Sequence, residues 1–328
     1  MAVKIIDAHC DSILDVLHKR RHLGEPNHEG QADLVSLRKA GVKLQFFAVF
    51  IESAYKPERA VLRALEGIEV FRREVERHPH LVTLVTSATD LTTLETQEQL
   101  GALLTVEGGE ALGGQLSMVG VLYRLGVRSL GLTWNQGNEL ADGVGVGENH
   151  RGLTEFGKTV IKEMNKLGML VDLAHIAERG FWDALEVSER PVIVSHGNCQ
   201  RLCSHPRNLT DGQLRALAEQ DGCLGITFVP EFIDSETPCV DRLLDHIDHA
   251  VEVMGIDHVG FGSDFDGMDS RTPGLETAAA LPYLLERLRG RGYTEEQLDK
   301  LAWGNWFRVL KQGLSPLYFG NDRNTIEQ

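Results

Sequence analysis

The sequence offers no membrane span, no disulfide scaffold and no nucleic-acid surface. Its five cysteines (Cys10, Cys199, Cys203, Cys223 and Cys239) form no Cys-x-x-Cys pair and are too few for a disulfide framework in 328 residues, so a reducing compartment is expected. No run of about 18 apolar residues occurs, and the first strand-like run, 3–8, starts so near Met1 that no apolar leader fits before it. The expectation is a cytoplasmic protein with no membrane partner, whose polar end at 321–328 carries no lipid-anchor signal and frays. Lys and Arg number 33 against 48 Asp and Glu, and the net charge of -15 argues against nucleic acid as a partner. The one basic cluster, His18 to His22, reads as a solvated loop, with a subsite for an anionic substrate as the alternative. No Gly-x-Gly-x-x-Gly follows the first strand, which removes the main argument for a dinucleotide crevice. Internal repeats, low-complexity stretches and Pro/Ser-rich linkers are also missing, so the chain reads as one domain over 1–328.

What is present is alternation. Short runs rich in Val, Ile, Leu and Phe alternate with longer amphipathic segments, the pattern of parallel strands joined by crossover helices. Eight such runs occur, at 4–9, 43–50, 102–107, 127–133, 169–175, 192–196, 223–228 and 258–264. Helical patterns lie between them at 57–77, 155–167, 176–187, 210–220 and 240–254, the first opening on Pro57. Eight strands with intervening helices predict an α/β fold of the TIM-like (β/α)8 type, and an open doubly wound sheet is the alternative. Segments 278–289 and 295–310 read as closing helices, with Trp303, Trp306 and Phe307 packing onto the barrel. The glycine-rich 143–147 reads as a flexible loop.

Several strand-like runs end in a His, Asp or Glu, and the carboxyl ends of barrel strands are where catalytic groups converge. His9 and Asp11 close the first run two residues apart, so they share a face and deliver two ligands to one metal ion while Cys10 points away. Glu107 closes the third run before Gly108 and Gly109, and its two oxygens can bridge two cations. His175 and His196 end neighbouring runs and together make a second metal site. Asp264 ends the eighth, where a carboxylate can accept and return a proton. His246 and His249 read as solvated helix residues. A single strand-end histidine is more often structural than a ligand. Three histidines and three carboxylates at these positions are harder to explain as core, because each costs free energy if buried unpaired.

His9-x-Asp11, Glu107-Gly-Gly, Gly152-Leu-Thr-x-x-Gly157, Asp172-Leu-Ala-His175, Ser195-His196, Arg207-Asn208 and Gly262-x-Asp264-Phe-Asp-Gly267, in this order, resemble the membrane dipeptidase (renal dipeptidase) family of zinc peptidases. The resemblance implies two Zn²⁺ ions, one held by His9 and Asp11 and one by His175 and His196, bridged by Glu107. It implies Asp264 as the proton-transferring residue, Arg207 as the group that binds the substrate carboxylate, and a metal-bridging hydroxide that hydrolyses a dipeptide. There is one departure. Where the family's eukaryotic members follow Leu-Thr with a substrate-polarising His, this chain follows Leu132-Thr133 with Trp134. An indole N–H can donate but cannot take a proton, so carbonyl stabilisation falls to a metal, Trp134, Asn135 or another residue. The rivals are a related barrel hydrolase acting on a lactone, cyclic amide, N-acyl amino acid or phosphoester, and a non-catalytic metal-binding protein. The sequence leaves homo-oligomeric assembly open.

Overall fold

The computed structural model describes residues 4–26 and 29–314, and the polar end at 321–328 lies outside them. Among the described residues nine parallel strands occur: β1 Ile5–Asp7, β2 Val42–Phe50, β3 Val82–Leu84, β4 Leu100–Glu107, β5 Val127–Gly131, β6 Leu170–Asp172, β7 Ile193–Gly197, β8 Cys223–Ile226 and β9 Val259–Phe261. They run in the order β2-β1-β9-β8-β7-β6-β5-β4-β3, and pairing of β2 with β4 closes eight of them into a barrel. The (β/α)8 expectation holds, and each of the eight expected runs contributes one barrel strand. The ninth, β3, was not expected. It pairs with β4 only at Leu100 to Ala102, below the stretch from Leu104 to Glu107 that β5 takes.

Most strands are shorter than their apolar runs because the chain leaves the ladder before it reaches its polar end. His175 lies three residues past β6 and Asp264 three past β9. The first long helix is Ala60–Arg77 and begins after Pro57, not on it.

Two layers of core hold this together. Inside the barrel, Ile6, Leu44, Phe46, Leu103, Leu170 and Ile193 meet Trp306, Val309 and Leu310 of the closing helix Asn305–Gly313. Trp306 is fully buried, and its indole N–H donates to the Phe261 carbonyl at 3.0 Å. Burying a side chain of this kind stabilises by about 1.5–3 kcal/mol or more. The barrel interior is thus filled from the amino-terminal end, which leaves the opposite rim free to carry polar groups.

Candidate metal centre

At that rim the ladder gives way to turns that aim side chains inward. Asp11 stands just before the helix Ser12–Leu17, beyond the exit of β1, with its side chain making no capping bond, and Glu107 is the last residue of β4. Gly108 then takes φ +119°, which an L side chain rarely adopts, and a Cβ there would meet the Glu110 carboxylate at 2.8 Å. His175 and Asp264 stand at φ +67° and +66°, left-handed conformations uncommon for non-glycine residues and concentrated at functional sites.

The five expected ligands and Asp264 all converge. His9, Asp11, Glu107, His175, His196 and Asp264 are each less than a tenth exposed. Three overlapping groups, His9–Asp11–Glu107, Glu107–His175–His196 and His9–His196–Asp264, each place their donor atoms within 4.8 Å of one another. Glu107 faces both ways: Oε1 lies 2.7 Å from His175 Nε2 and 3.8 Å from His196 Nε2, while Oε2 lies 3.7 Å from His9 Nε2. Asp11 Oδ2 and Asp264 Oδ1 stand 3.4 and 3.7 Å from His9 Nε2.

The donor set fits cations better than it fits itself. His9 Nε2 and Asp11 Oδ1 are buried without a hydrogen-bond partner among the described residues. The Nε2 atoms of His175 and His196 face each other at 2.9 Å. His175 Nδ1 donates to Asn135 Oδ1 at 2.8 Å, which leaves the lone pair on Nε2, and His196 Nδ1 is engaged by Ser195 Oγ at 2.9 Å. Buried neutral imidazoles aimed together with a carboxylate are a donor set suited to Zn²⁺.

The electrostatics divide the site. Burial opposes a charge on His9, but Asp11, Glu107 and Asp264 outweigh it and raise its pKa to about 10. Burial, aided by Arg207, lowers His175 to about 3, and burial holds His196 well below its usual value. Glu107 is ionised, drawn down to about 2 against its burial by His9 and His175. Asp264 is held well above the usual carboxylate range by burial, with Asp11 and Glu107 adding to the rise. Burial lowers Arg207 to about 10, so it stays charged at neutral pH.

The rim encloses a cavity of about 560 Å³. One wall is Phe50, Trp134 and Asn135, with the Trp134 ring 5.2 Å from Phe50 and 5.9 Å from His175. Trp134 therefore lines the cavity and is half-buried. The facing wall carries Arg207, Val229 and Phe232 from the loops after β7 and β8. In the closed order β7 stands opposite β2, and β8 opposite β4. Arg207 is buried, donates to the His196 carbonyl at 3.3 Å, lies over Phe232 and has no partner for Nε among the described residues.

Four features differ from expectation. Arg21 of the basic cluster is buried and ion-paired with Asp266 at 2.5 Å and Asp15 at 2.9 Å, because Asp266 reaches back from the β9 loop. His246 is buried, accepting from the Cys199 N–H and facing the Ile233 carbonyl. His249 is half-buried and paired with Asp211 at 2.8 Å. Segment 143–147 is a tight turn that braces the site: Val144 N–H donates to the His175 carbonyl and Gly145 N–H to the Asn135 carbonyl. A Cβ at position 143 would fall 1.9 Å from the Trp134 carbonyl oxygen, so only glycine allows that approach. Sequence reasoning also passed over Asp266 and Asp7, buried acceptors whose only sequence signal was a carboxylate within two residues of a predicted ligand or acid.

Known proteins complete the picture. Residues 1–314 match the model of the family described as membrane dipeptidase (peptidase family M19). An uncharacterized protein from the pqqA 5' region of Klebsiella pneumoniae is 38% identical over 75% of this chain and 94% of its own length. A dipeptidase of Aspergillus oryzae is 33% identical over 86% of this chain and 69% of its own. A metallopeptidase of Rhodobacter sphaeroides, solved with a phosphinate mimic of the dipeptide L-Ala-D-Ala, superposes with a TM-score of 0.89 at 26% identity, covering 95% of this chain and 100% of its own.

Proposed function

The chain belongs to the membrane dipeptidase family, peptidase family M19, and on that premise we propose that it hydrolyses free dipeptides with two Zn²⁺ ions. His9 and Asp11 would hold one ion and His175 and His196 the other, with Glu107 between them. The observation that carries this reading is the convergence of five buried donors around one two-faced carboxylate, with His9 Nε2 and Asp11 Oδ1 otherwise unpartnered. When bound, such ions supply the Lewis acidity that polarises a peptide carbonyl and brings the pKa of water toward 7.

The chain's own residues do the rest. Arg207, charged and with Nε unengaged, grips the free C-terminal carboxylate through its planar fork. The scissile bond then lies over the donor cluster, and the N-terminal residue lies against Phe50 and Trp134 on the facing wall. Asp264, whose pKa burial raises well above the usual carboxylate range, takes a proton from the attacking water as the carboxylate and returns it to the leaving amine. The Asn135 side chain fixes the His175 ring. All five cysteines are free, in keeping with a reducing, cytoplasmic setting.

The test is a panel of L,L- and L,D-dipeptides against their C-terminal amides. A shielded charge pair is worth roughly 2–5 kcal/mol when one partner is removed, so free dipeptides should exceed their amides in kcat/KM by at least about thirtyfold. Arg207→Met should erase most of that gap with metal content intact. Equal rates on acid and amide in the wild type would remove the carboxylate grip and favour a lactone or amide substrate.

A further inference from the structure

Two junctions in the barrel share a construction that the chemistry above does not use. β1 meets β9 through a single registered pair, Asp7 with Phe261, and β6 meets β7 through a single pair, Asp172 with Ile193. At both junctions the aspartate of that pair reaches past its partner and accepts the backbone N–H two residues further along the neighbouring strand. Asp7 Oδ1 accepts from Ser263 N–H at 2.7 Å, and Asp172 Oδ1 accepts from Ser195 N–H at 3.0 Å. Each serine directly precedes a site residue, Asp264 in one case and His196 in the other. Each aspartate also stands close to its own strand's exit, and Ser263 Oγ, held by Asp7, reaches the His9 carbonyl at 3.2 Å. Asp7 is two residues from His9, and Asp172 Oδ1 takes the N–H of Ala174, the residue before His175. Ser263 Oγ adds a second bond to Asp7 Oδ2 at 2.6 Å.

We propose that Asp7 and Asp172 are matched positioning residues, each reinforcing a sparse ladder at one junction and setting the spacing of one half of the metal centre. Asp7 serves His9 and Asp264; Asp172 serves His175 and His196. A strand pair that separates after one register keeps only a few backbone bonds at its exit, from Ala8, Asp11 and Asp264 N–H at one junction and from Leu173 N–H at the other, and at each a buried carboxylate adds a bond that ties the two exits together. The left-handed backbone at His175 and Asp264 begins just beyond these bonds, so relaxation of either strut would move a site residue first. Neither aspartate is placed to touch substrate, and the inference rests on the two-ion reading above.

The test is Co²⁺ titration of metal-stripped protein against a competing chelator, with the ligand-field absorption of each uptake step recorded, for wild type, Asp7→Ala and Asp172→Ala. Asp172→Ala should weaken one step by at least about tenfold and change its spectrum, leaving the other within about twofold; Asp7→Ala should do the reverse. Asp→Asn, which keeps an acceptor oxygen, should recover most of each loss. If an alanine variant does not fold, Asp→Glu, which shifts the carboxylate by one methylene, should produce the same split. A loss shared equally by both steps, or a lower Tm with both steps unchanged, would overturn the pairing and leave the two-ion reading standing. A single uptake step in the wild type would overturn both.

Discussion

The two halves of the centre are built from the same kind of position, the exit of a parallel strand, yet they differ in chemistry. The half around His9 is crowded with carboxylates, and in it the imidazole carries a proton that stands in for a cation, with its pKa near 10. The half around His175 and His196 holds two neutral imidazoles, lowered by burial and by Arg207, against one oxygen of Glu107. One half therefore resembles an ion pair awaiting exchange and the other a pair of ready lone pairs. A barrel rim does not dictate ligand chemistry; the neighbours of each strand end do.

The strongest way to break the contrast is to remove the joint between the halves. Glu107→Ala should lower metal content below two ions per chain by elemental analysis after zinc reconstitution and cut kcat/KM by about 10⁴-fold or more, since several kcal/mol of Lewis-acid stabilisation depend on both ions. Full occupancy in that variant would show that the halves do not share a bridge. A smaller effect sharpens the contrast instead. Asp264 borders the His9 half, and if it moves protons without being an essential ligand, Asp264→Asn should retain most of the metal while kcat falls by roughly 10²–10⁴. Metal lost in parallel with activity would make it a ligand.

Most of this site was readable in the sequence because strand ends are marked by two signals at once, an apolar run and the polar residue that terminates it. His9, Asp11, Glu107, His175, His196 and Asp264 all carry that mark and are all brought together. What escaped depends on side chains meeting across distant loops. Arg21 sits in a basic cluster that looks solvated, and only the return of Asp266 from 245 residues away buries it. His246 looks exposed on an amphipathic helix until Cys199 and Ile233 close over it. β3 was missed because three residues beside one end of β4 make too short a run to stand out. The glycines at 143–147 read as slack, since sequence alone does not show that the Trp134 backbone passes directly over them.

The smallest expected effect is the most direct reading of the contrast, because it follows protons. In the metal-free protein His9 has a pKa of about 10, so between pH 6 and 9 a cation that takes its place must release that proton, and Asp264, also raised, can only add to the release. Each proton displaced makes apparent affinity rise about tenfold per pH unit until the group's own pKa is passed. The sign is therefore a gain with rising pH. In the other half His175 is already neutral above about pH 3, His196 is lowered as well, and Glu107 is ionised above about 2, so an ion bound there displaces no proton. Zn²⁺ titration calorimetry at pH 6, 7 and 8, in two buffers of different ionisation enthalpy, should resolve one step that strengthens about tenfold per unit with at least one proton released. The second step should move less than about twofold and show no buffer dependence. Proton release divided evenly between the steps would mean that the two halves titrate as one body and that their electrostatic difference does not survive the first ion.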